Sequence, residues 1–225
     1  MFVYYLITRW KELGKINGKE YIVKTIVTTE TIKTIAERNG VEMYDVYTGF
    51  KWIANVMREN EGKKNYIGGG EESYGFLCED FVRDKDAVSA CVILAEIAAW
   101  AKDQGLSLYQ LLQKIYVEYG FSKEKGISVV KKGKSGAEEI EAMMKKFREN
   151  PLTEIAGSKV TYFYDYSTLK GKDYAENETV TLDMPTTSNV LQYFTEDNTK
   201  VSIRPSGTEP KIKFYCEVHS KVKSL

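Results

Sequence analysis

Helix-like and strand-like segments alternate along the first half of this chain, and this alternation constrains the fold more than any other feature. Apolar residues at helical spacing predict a first helix over residues 2–13, and Gly14 ends it. The β-branched run 21–29 predicts a strand. The same patterns predict a helix over 29–39, a strand over 41–47, a helix over 50–59, a short strand over 65–67, a long helix over 84–104 and a Ser107-capped helix to about residue 119. This order favours a largely parallel sheet with helices on its faces.

The second half has a different pattern. Residues 120–134 predict a strand followed by a turn, and residues 137–150 predict a helix that Pro151 ends. Short strand patterns then follow one another at 159–166, 179–183, 190–195, 200–204 and 211–219. The sequence thus predicts an α/β domain over residues 1–119 with a mixed, largely parallel sheet, followed by an α+β domain over residues 120–225 with an antiparallel sheet.

Charge and composition exclude several classes of function. The 32 Lys and Arg residues balance the 32 Asp and Glu residues, so nothing indicates a general nucleic-acid or anionic-membrane binder. The basic cluster 131–134 is followed by acidic residues and is interpreted as a solvated turn. No apolar run is long enough to span a membrane.

Histidine and cysteine content narrows the chemistry further. His219 is the single histidine, which excludes sites that need two, and its place in a terminal strand pattern indicates a structural role. The three cysteines, Cys78, Cys91 and Cys216, are far apart and odd in number. They predict neither a disulfide framework nor a metal clip, and they favour a reducing, cytoplasmic location.

A glycine-rich segment at residues 68–75 is the first candidate site. It follows a predicted strand and reads Gly-Gly-Gly-Glu-Glu-Ser-Tyr-Gly. Glycine allows a positive φ and the close approach of a ligand. Glu71 and Ser73 would point the same way if the segment were extended, and a carboxylate with a hydroxyl suits a polyhydroxy ligand such as a sugar. A mobile surface turn with solvated charges is the alternative.

A second candidate site lies at residues 201–211, between two predicted strands. Arg204 offers a planar fork of donors for phosphate oxygens, and Ser206 and Thr208 add hydroxyl donors. Gly207 permits a turn whose backbone N–H groups converge on an anion. The spacing of a Walker A loop is absent. An ordinary hairpin with an arginine at its tip is the alternative.

Residues 82–86 form a third charged segment, Val-Arg-Asp-Lys-Asp, at the start of the long predicted helix. Asp84 or Asp86 can cap that helix, so a helix start is the simplest interpretation of these charges.

Taken together, these segments resemble the α-D-phosphohexomutases, the phosphoglucomutase/phosphomannomutase superfamily. Residues 70–75 (Gly-Glu-Glu-Ser-Tyr-Gly) resemble its sugar-recognition loop, and residues 204–210 (Arg-Pro-Ser-Gly-Thr-Glu-Pro) its phosphate-binding loop. Residues 48–52 (Thr-Gly-Phe-Lys-Trp) and 83–86 (Arg-Asp-Lys-Asp) are similar to segments that line its cleft. The resemblance covers nearly the whole chain and implies most of the third of four domains, without its first strand, and most of the fourth, without its last helix.

The resemblance also implies roles for individual residues. Glu71 and Ser73 would hold two adjacent sugar hydroxyls, with Thr48 and Lys85 contacting the same ligand. The non-reacting phosphate would be held by Arg204, Ser206, Gly207 and Thr208. No residue of this chain would be catalytic, and none would bind metal.

The implied activity is the interconversion of hexose 1-phosphate and hexose 6-phosphate through a phosphoserine and a hexose 1,6-bisphosphate intermediate. The phosphoserine loop and the Asp-Gly-Asp-type magnesium loop of the family are absent from the sequence. The chain is therefore expected to be inactive alone and to need the N-terminal domains of the same polypeptide, which would bring Mg²⁺.

The resemblance indicates the sugar less specifically than it indicates the family. Tyr74 and Gly75 match the phosphoglucomutase branch rather than the Gly-His ending of the phosphomannomutase branch. A phosphopentomutase-like branch shares the Arg-Asp-Lys-Asp segment, so phosphomannomutase and phosphopentomutase remain alternative parent activities. A non-catalytic phosphosugar-binding module is the other alternative.

Overall fold

The structure is a computed structural model that describes residues 1–131, 133–207, 209–222 and 224, apart from the side chain of Lys134. The chain divides into two compact units. The first comprises Met1–Phe121 with the segment Lys221–Leu225, and the second comprises Ser122–Ser220.

The first unit is built on a four-stranded sheet with flanking helices. Its elements are α1 (Phe2–Glu12), β1 (Glu20–Thr25), α2 (Thr31–Arg38), β2 (Glu42–Val46), α3 (Phe50–Asn60), β3 (Asn65–Glu71), β4 (Gly75–Cys78), α4 (Ala87–Asp103) and α5 (Leu108–Tyr119). The strand order is β2-β1-β3-β4. The first three strands are parallel and β4 is antiparallel to β3, which confirms the predicted mixed, largely parallel sheet.

Alternating side chains of the strands supply two cores, one on each face of the sheet. Ile22 packs with residues of α1, α2, α4 and α5. Its neighbour Val23 packs on the opposite face with Phe50, Ile53 and Met57 of α3. Burial on both faces favours consecutive apolar residues, which accounts for the run Tyr21–Val23 at the centre of β1. The strand is shorter than the predicted 21–29, because the chain turns after Thr25.

The glycine run lies inside a strand, not in a loop as predicted. β3 continues through Gly68, Gly69 and Gly70 to Glu71 and pairs with β1 on one side and β4 on the other. A Cβ on Gly69 would lie 2.0 Å from the carbonyl oxygen of Val23, and one on Gly70 would lie 2.1 Å from that of Gly75. These two glycines are required because neighbouring backbones approach too closely for any side chain.

Helix α4 differs from its prediction in both its start and its buried face. Asp86 is the N-cap, and its carboxylate accepts hydrogen bonds from the N–H groups of Val88 and Ser89, so Asp86 rather than Asp84 caps the helix. The sequence has apolar residues at helical spacing that predict a buried stripe, but these residues are largely exposed: Ala87, Val88, Cys91, Leu94, Ala95, Ala98 and Ala99. The buried positions are Ile97 and Ala101. A helix that is apolar all round gives no periodicity from which its buried face can be chosen.

Glu20 stabilises the turn that leads into β1. Its Oε2 accepts hydrogen bonds from the N–H groups of Asn17 (2.8 Å), Gly18 (2.9 Å) and Lys19 (3.1 Å), and its Oε1 accepts one from Asn65 Nδ2 (3.1 Å). Burial opposes ionisation of this carboxyl, but these donors outweigh it and hold the Glu20 pKa below its ordinary value of 4.5.

We expect Glu20→Gln to destabilise the first unit by about 1–3 kcal/mol at neutral pH, since charge-assisted bonds to a buried carboxylate are lost. A lowered pKa stabilises the fold above the unfolded-state value, and this contribution is lost as the pH falls through the folded-state value. The difference between wild type and variant in urea unfolding should therefore shrink below about pH 4.5. A difference that stayed constant down to pH 3 would contradict this assignment.

The second unit is built on an antiparallel sheet with one helix. Its elements are β5 (Phe121–Val130), α6 (Gly133–Glu149), β6 (Glu154–Ile155), β7 (Ser158–Asp165), β8 (Lys170–Asp173), β9 (Glu178–Thr181), β10 (Leu191–Thr195), β11 (Lys200–Pro205) and β12 (Lys211–Ser220). The strand order is β5-β12-β11-β10-β7-β8-β9, with β6 paired to β7. The predicted antiparallel α+β domain is confirmed.

The core of the second unit lies between α6 and one face of the sheet. Ile140 and Met144 of α6 pack against Leu191 and Tyr193 of β10 and Ile203 of β11. The helix begins four residues before its predicted start at 137, in the segment interpreted as a turn. Strand β8 was not predicted, because the sequence Lys-Gly-Lys-Asp has no strand-like alternation.

Within the described part of the chain, no helix combines the length and the hydropathy that a bilayer crossing requires.

Candidate functional site

The first group of candidate residues lies where parallel strands of the first unit end. Thr48 and Gly49 follow β2, and Glu71 is the last residue of β3. The carboxyl ends of parallel strands meet at one edge of a sheet, which is the usual place for a ligand in an open α/β sheet. The fold therefore brings the segments 48–52 and 70–75 to a common edge.

Glu71 is held against the start of α3. Its Oε1 accepts a hydrogen bond from the backbone N–H of Gly49 at 2.5 Å, and Gly49 is the N-cap of that helix with a φ of 117°. A carboxylate at a helix N-terminus is favoured by the exposed N–H groups and by the helix dipole. This bond fixes the Glu71 carboxylate beside Thr48 and leaves Oε2 for other donors.

Lys85 lies next to Glu71. A Cβ built on Gly75 would be 3.1 Å from Lys85 Cδ and 3.3 Å from Glu71 Oε2, so both side chains converge on Gly75. Lys85 Nζ lies 5.7 Å from the centroid of the Phe50 ring and 3.5 Å from Asp84 Oδ1. The structure thus brings Glu71, Lys85 and the backbone beside Thr48 together.

A cavity of about 630 Å³ opens beside these residues. It is lined by Gly49, Phe50, Lys51, Ala54, Asn55, Arg58, Arg83, Asp84 and Lys85. Four of these are cations and one is an acid, and Arg83 is paired with Glu61 at 2.8 Å. Such a lining suits an anionic ligand that carries many oxygen atoms.

Ser73 does not lie on the strand that carries Glu71. The extended segment on which the two would point the same way is not present, because β3 ends at Glu71 and Ser73 lies in the turn before β4. The Ser73 hydroxyl donates to Glu72 Oε1 at 3.0 Å. Glu72 Oε2 in turn accepts from the hydroxyls of Thr25 and Thr28, each at 3.2 Å.

A buried ion cluster at the same edge was missed by sequence reasoning. Lys24 of β1 is fully buried, and its Nζ lies 2.6 Å from Asp45 Oδ1 and 3.0 Å from Glu30 Oε1. Burial opposes the charge of Lys24, but Asp45 and Glu30 outweigh it and raise the Lys24 pKa above its ordinary value. A lysine directly after the apolar run 21–23 was the signal that could have revealed this cluster.

The second group of candidate residues lies in the second unit, between β11 and β12. Arg204 of β11 is directly opposite Lys213 of β12, so two cations project from the same face of the sheet. Arg204 takes part in none of the ion pairs found among the described residues. Like charges placed opposite one another are unfavourable unless an anion lies between them, which makes this strand end a candidate anion site.

The connecting loop is closed by its own hydrogen bonds. Ser206 N–H donates to Lys211 O at 2.8 Å, and Glu209 N–H donates to Ser206 Oγ at 3.3 Å. Glu209 also pairs with Lys211, and Lys211, followed by Lys213, lowers the Glu209 pKa below its ordinary value.

Gly207 has an ordinary φ, and a Cβ on it would meet nothing within 4 Å, so no steric reason requires glycine there. Thr208, the fourth residue of the predicted phosphate site, lies outside the described residues.

Each of the two units matches a domain model of the same family of sugar-phosphate mutases. The first unit matches the family model "Phosphoglucomutase/phosphomannomutase, alpha/beta/alpha domain III" over residues 1–119. The second matches "Phosphoglucomutase/phosphomannomutase, C-terminal domain" over residues 128–224. The chain belongs to the phosphoglucomutase/phosphomannomutase family.

Curated relatives support this membership. The phosphoglucomutase of Staphylococcus haemolyticus is 35% identical over 214 residues, which cover 95% of this chain and 39% of the relative. A phosphoglucomutase of Staphylococcus aureus is 40% identical over 197 residues, 88% of this chain and 35% of the relative. The chain thus spans somewhat more than a third of the length of these relatives.

Solved structures share the fold. The open form of Paramecium pp63/parafusin, a phosphoglucomutase, superposes with a TM-score of 0.64 and 17% identity, covering 99% of this chain and 37% of that one. A phosphoglucomutase/phosphomannomutase family protein of Burkholderia thailandensis gives a TM-score of 0.57 and 17% identity, covering 97% and 37%.

Proposed function

We propose that this chain is the substrate-recognition part of a phosphoglucomutase-like enzyme that interconverts hexose 1-phosphate and hexose 6-phosphate. The observation that carries the proposal is the convergence of Glu71 and Lys85 beside a cation-lined cavity, at the sheet edge where β2 and β3 end. Glu71, Ser73, Thr48 and Lys85 contact the sugar, and Arg204, Ser206, Gly207 and Thr208 hold the phosphate that does not react.

In the proposed reaction, a phosphoserine elsewhere in the complete protein gives its phosphoryl group to the free hydroxyl of the hexose monophosphate. The resulting hexose 1,6-bisphosphate reorients and returns its other phosphoryl group to the serine. Because phosphoryl transfer depends mainly on positioning and charge stabilisation, this chain contributes by holding the sugar and the distal phosphate in either orientation.

The residues of this chain give no support for a magnesium site. Among residues 1–131, 133–207, 209–222 and 224, no three His, Cys, Asp or Glu side chains are grouped so as to hold a metal ion. In the proposed reaction, no residue of this chain therefore binds Mg²⁺.

The proposed partner of this chain is the N-terminal part of the same polypeptide. We place the protein in the cytoplasm, where the exposed thiol of Cys91 would stay reduced.

We expect the 225-residue chain to bind glucose 1-phosphate but to have no mutase turnover, since its sequence does not contain the phosphoserine loop of the family. Calorimetric titration and a coupled assay for glucose 6-phosphate would measure the two properties. Turnover by the purified chain would contradict the proposal that the phosphoserine, which transfers the phosphoryl group, lies outside these 225 residues.

The parent activity can be distinguished by a ligand series. We expect glucose 1-phosphate to bind more tightly than mannose 1-phosphate or ribose 1-phosphate. Tighter binding of the mannose or ribose compound would favour a phosphomannomutase or phosphopentomutase parent. If binding is confirmed but a longer polypeptide containing this chain has no mutase activity, the chain is a non-catalytic phosphosugar-binding module.

A further inference from the structure

Glu72 links the hairpin turn between β3 and β4 to the segment that follows β1. Its Oε1 accepts from the Ser73 hydroxyl at 3.0 Å, and its Oε2 lies 3.2 Å from the hydroxyl oxygens of both Thr25 and Thr28. Thr25 and Thr28 are buried, and their own hydroxyl oxygens are 2.8 Å apart. The Glu72 carboxylate thus contacts two residues that are distant in the sequence, Thr25 (47 positions away) and Thr28 (44 positions away).

The number of protons in this network sets the direction of its hydrogen bonds. An ionised carboxylate can only accept, and a serine hydroxyl has a single proton to donate. With that proton directed to Glu72, the Ser73 oxygen has only lone pairs to offer a ligand. The Glu71 carboxylate, which already accepts from Gly49 N–H, likewise offers only lone pairs.

We propose that Glu72 is a positioning residue that orients the Ser73 hydroxyl as a hydrogen-bond acceptor. Glu71 and Ser73 then present acceptors alone, so the site selects two ring hydroxyls that both donate. This inference rests on the proposed function of the site. It adds a residue that neither reacts nor touches the sugar but sets which hydrogen-bond pattern the site accepts.

The two sides of Glu72 have separable effects. The bond from Ser73 fixes the direction of the hydroxyl proton, whereas the bonds from Thr25 and Thr28 fix the position of the turn. Deleting the carboxylate removes both effects. Deleting the two threonine hydroxyls leaves the Ser73 bond in place, and valine preserves the shape of these buried side chains.

The test uses the 225-residue chain and glucose 1-phosphate analogues in which each ring hydroxyl in turn is replaced by fluorine. Fluorine cannot donate a hydrogen bond. In the wild type we expect two adjacent positions at which the replacement weakens binding about tenfold. In Glu72→Ala the Ser73 proton is free to point at the ligand, so the fluorine penalty should fall below about twofold at one of the two positions and persist at the other.

Two further variants separate positioning from folding. The double variant Thr25→Val/Thr28→Val should weaken binding of all analogues by a similar factor and keep the fluorine pattern of the wild type. Glu37→Ala removes an exposed carboxylate from α2 of the same unit and should change neither affinity nor pattern. Circular dichroism and thermal unfolding confirm that each variant is folded before it is titrated.

The outcomes distinguish this inference from the proposed function. If Glu72→Ala is folded and keeps both fluorine-sensitive positions, the orienting role of Glu72 is overturned while sugar binding stands. If the wild type binds glucose 1-phosphate but no fluorine position matters, the acceptor-only site is overturned. If the wild type binds no sugar phosphate, both the inference and the proposed function fall.

Discussion

Replacing Arg204 by alanine is expected to weaken binding of glucose 1-phosphate to this chain by about 10- to 150-fold. Hydrogen bonds to a charged group contribute about 1.5–3 kcal/mol, and 1.4 kcal/mol corresponds to a tenfold change in affinity. Arg204 lies opposite Lys213, and its guanidinium takes part in none of the ion pairs among the described residues, so it is available to a phosphate. Calorimetric titration with glucose 1-phosphate measures the effect.

Two matched variants sharpen this experiment. Arg204→Lys keeps the charge but loses the planar fork of donors, and an intermediate loss of affinity is expected. Lys159→Ala removes one positive charge from β7 in the same unit and should leave affinity unchanged, which controls for net charge. If Arg204→Ala bound the ligand as tightly as Lys159→Ala, the phosphate role of this strand end would have to be abandoned.

Replacing Gly69 by alanine is expected to destabilise the first unit by roughly 3 kcal/mol or more. The added Cβ would lie 2.0 Å from the backbone oxygen of Val23, and a backbone atom cannot move aside as a side chain can. To relieve this clash, β1 and β3 would have to separate and would lose their pairing. The edge that carries Glu71 would be displaced with them.

Tryptophan fluorescence can follow this effect without interference from the second unit, because Trp10, Trp52 and Trp100 all lie in the first. The urea midpoint of the fluorescence change should fall strongly for Gly69→Ala. Glu37→Ala, an exposed substitution on α2 of the same unit, is the control, because it adds no atom to the packed interior. Equal midpoints for the two variants would show that β1 and β3 are less closely packed than described.

The fold class could be predicted from the sequence because apolar patterning and turn residues act locally. Alternation of helices and strands indicated the parallel sheet, and successive short strands indicated the antiparallel one. The strand through Gly68–Gly70 could not be predicted in this way. Glycine usually weakens a strand, and its role here is a close approach of backbones that only the tertiary structure reveals.

The candidate site could be predicted in part. Residue types and their order indicated the segments that contain Glu71 and Arg204, and the family resemblance implied Lys85, whereas nothing in the sequence indicated the contacts of Ser73. The bond between Ser73 and Glu72 depends on a turn at residues 72–74, and the bonds to Thr25 and Thr28 cross more than forty positions. Lys24 was overlooked because no local pattern shows that Asp45 and Glu30 will meet it.

The order of strands in the second sheet has a consequence for synthesis on the ribosome. β5, the first strand of that unit, pairs with β12, the last. At about 5–20 residues per second, the stretch between residues 130 and 211 takes several seconds to translate. Throughout that time β5 lacks its neighbour, and Ile212 is missing from the core beside α6. The second unit is therefore expected to complete its fold only after Ser220 has been synthesised, whereas the sheet of the first unit has all its strands once Cys78 has emerged.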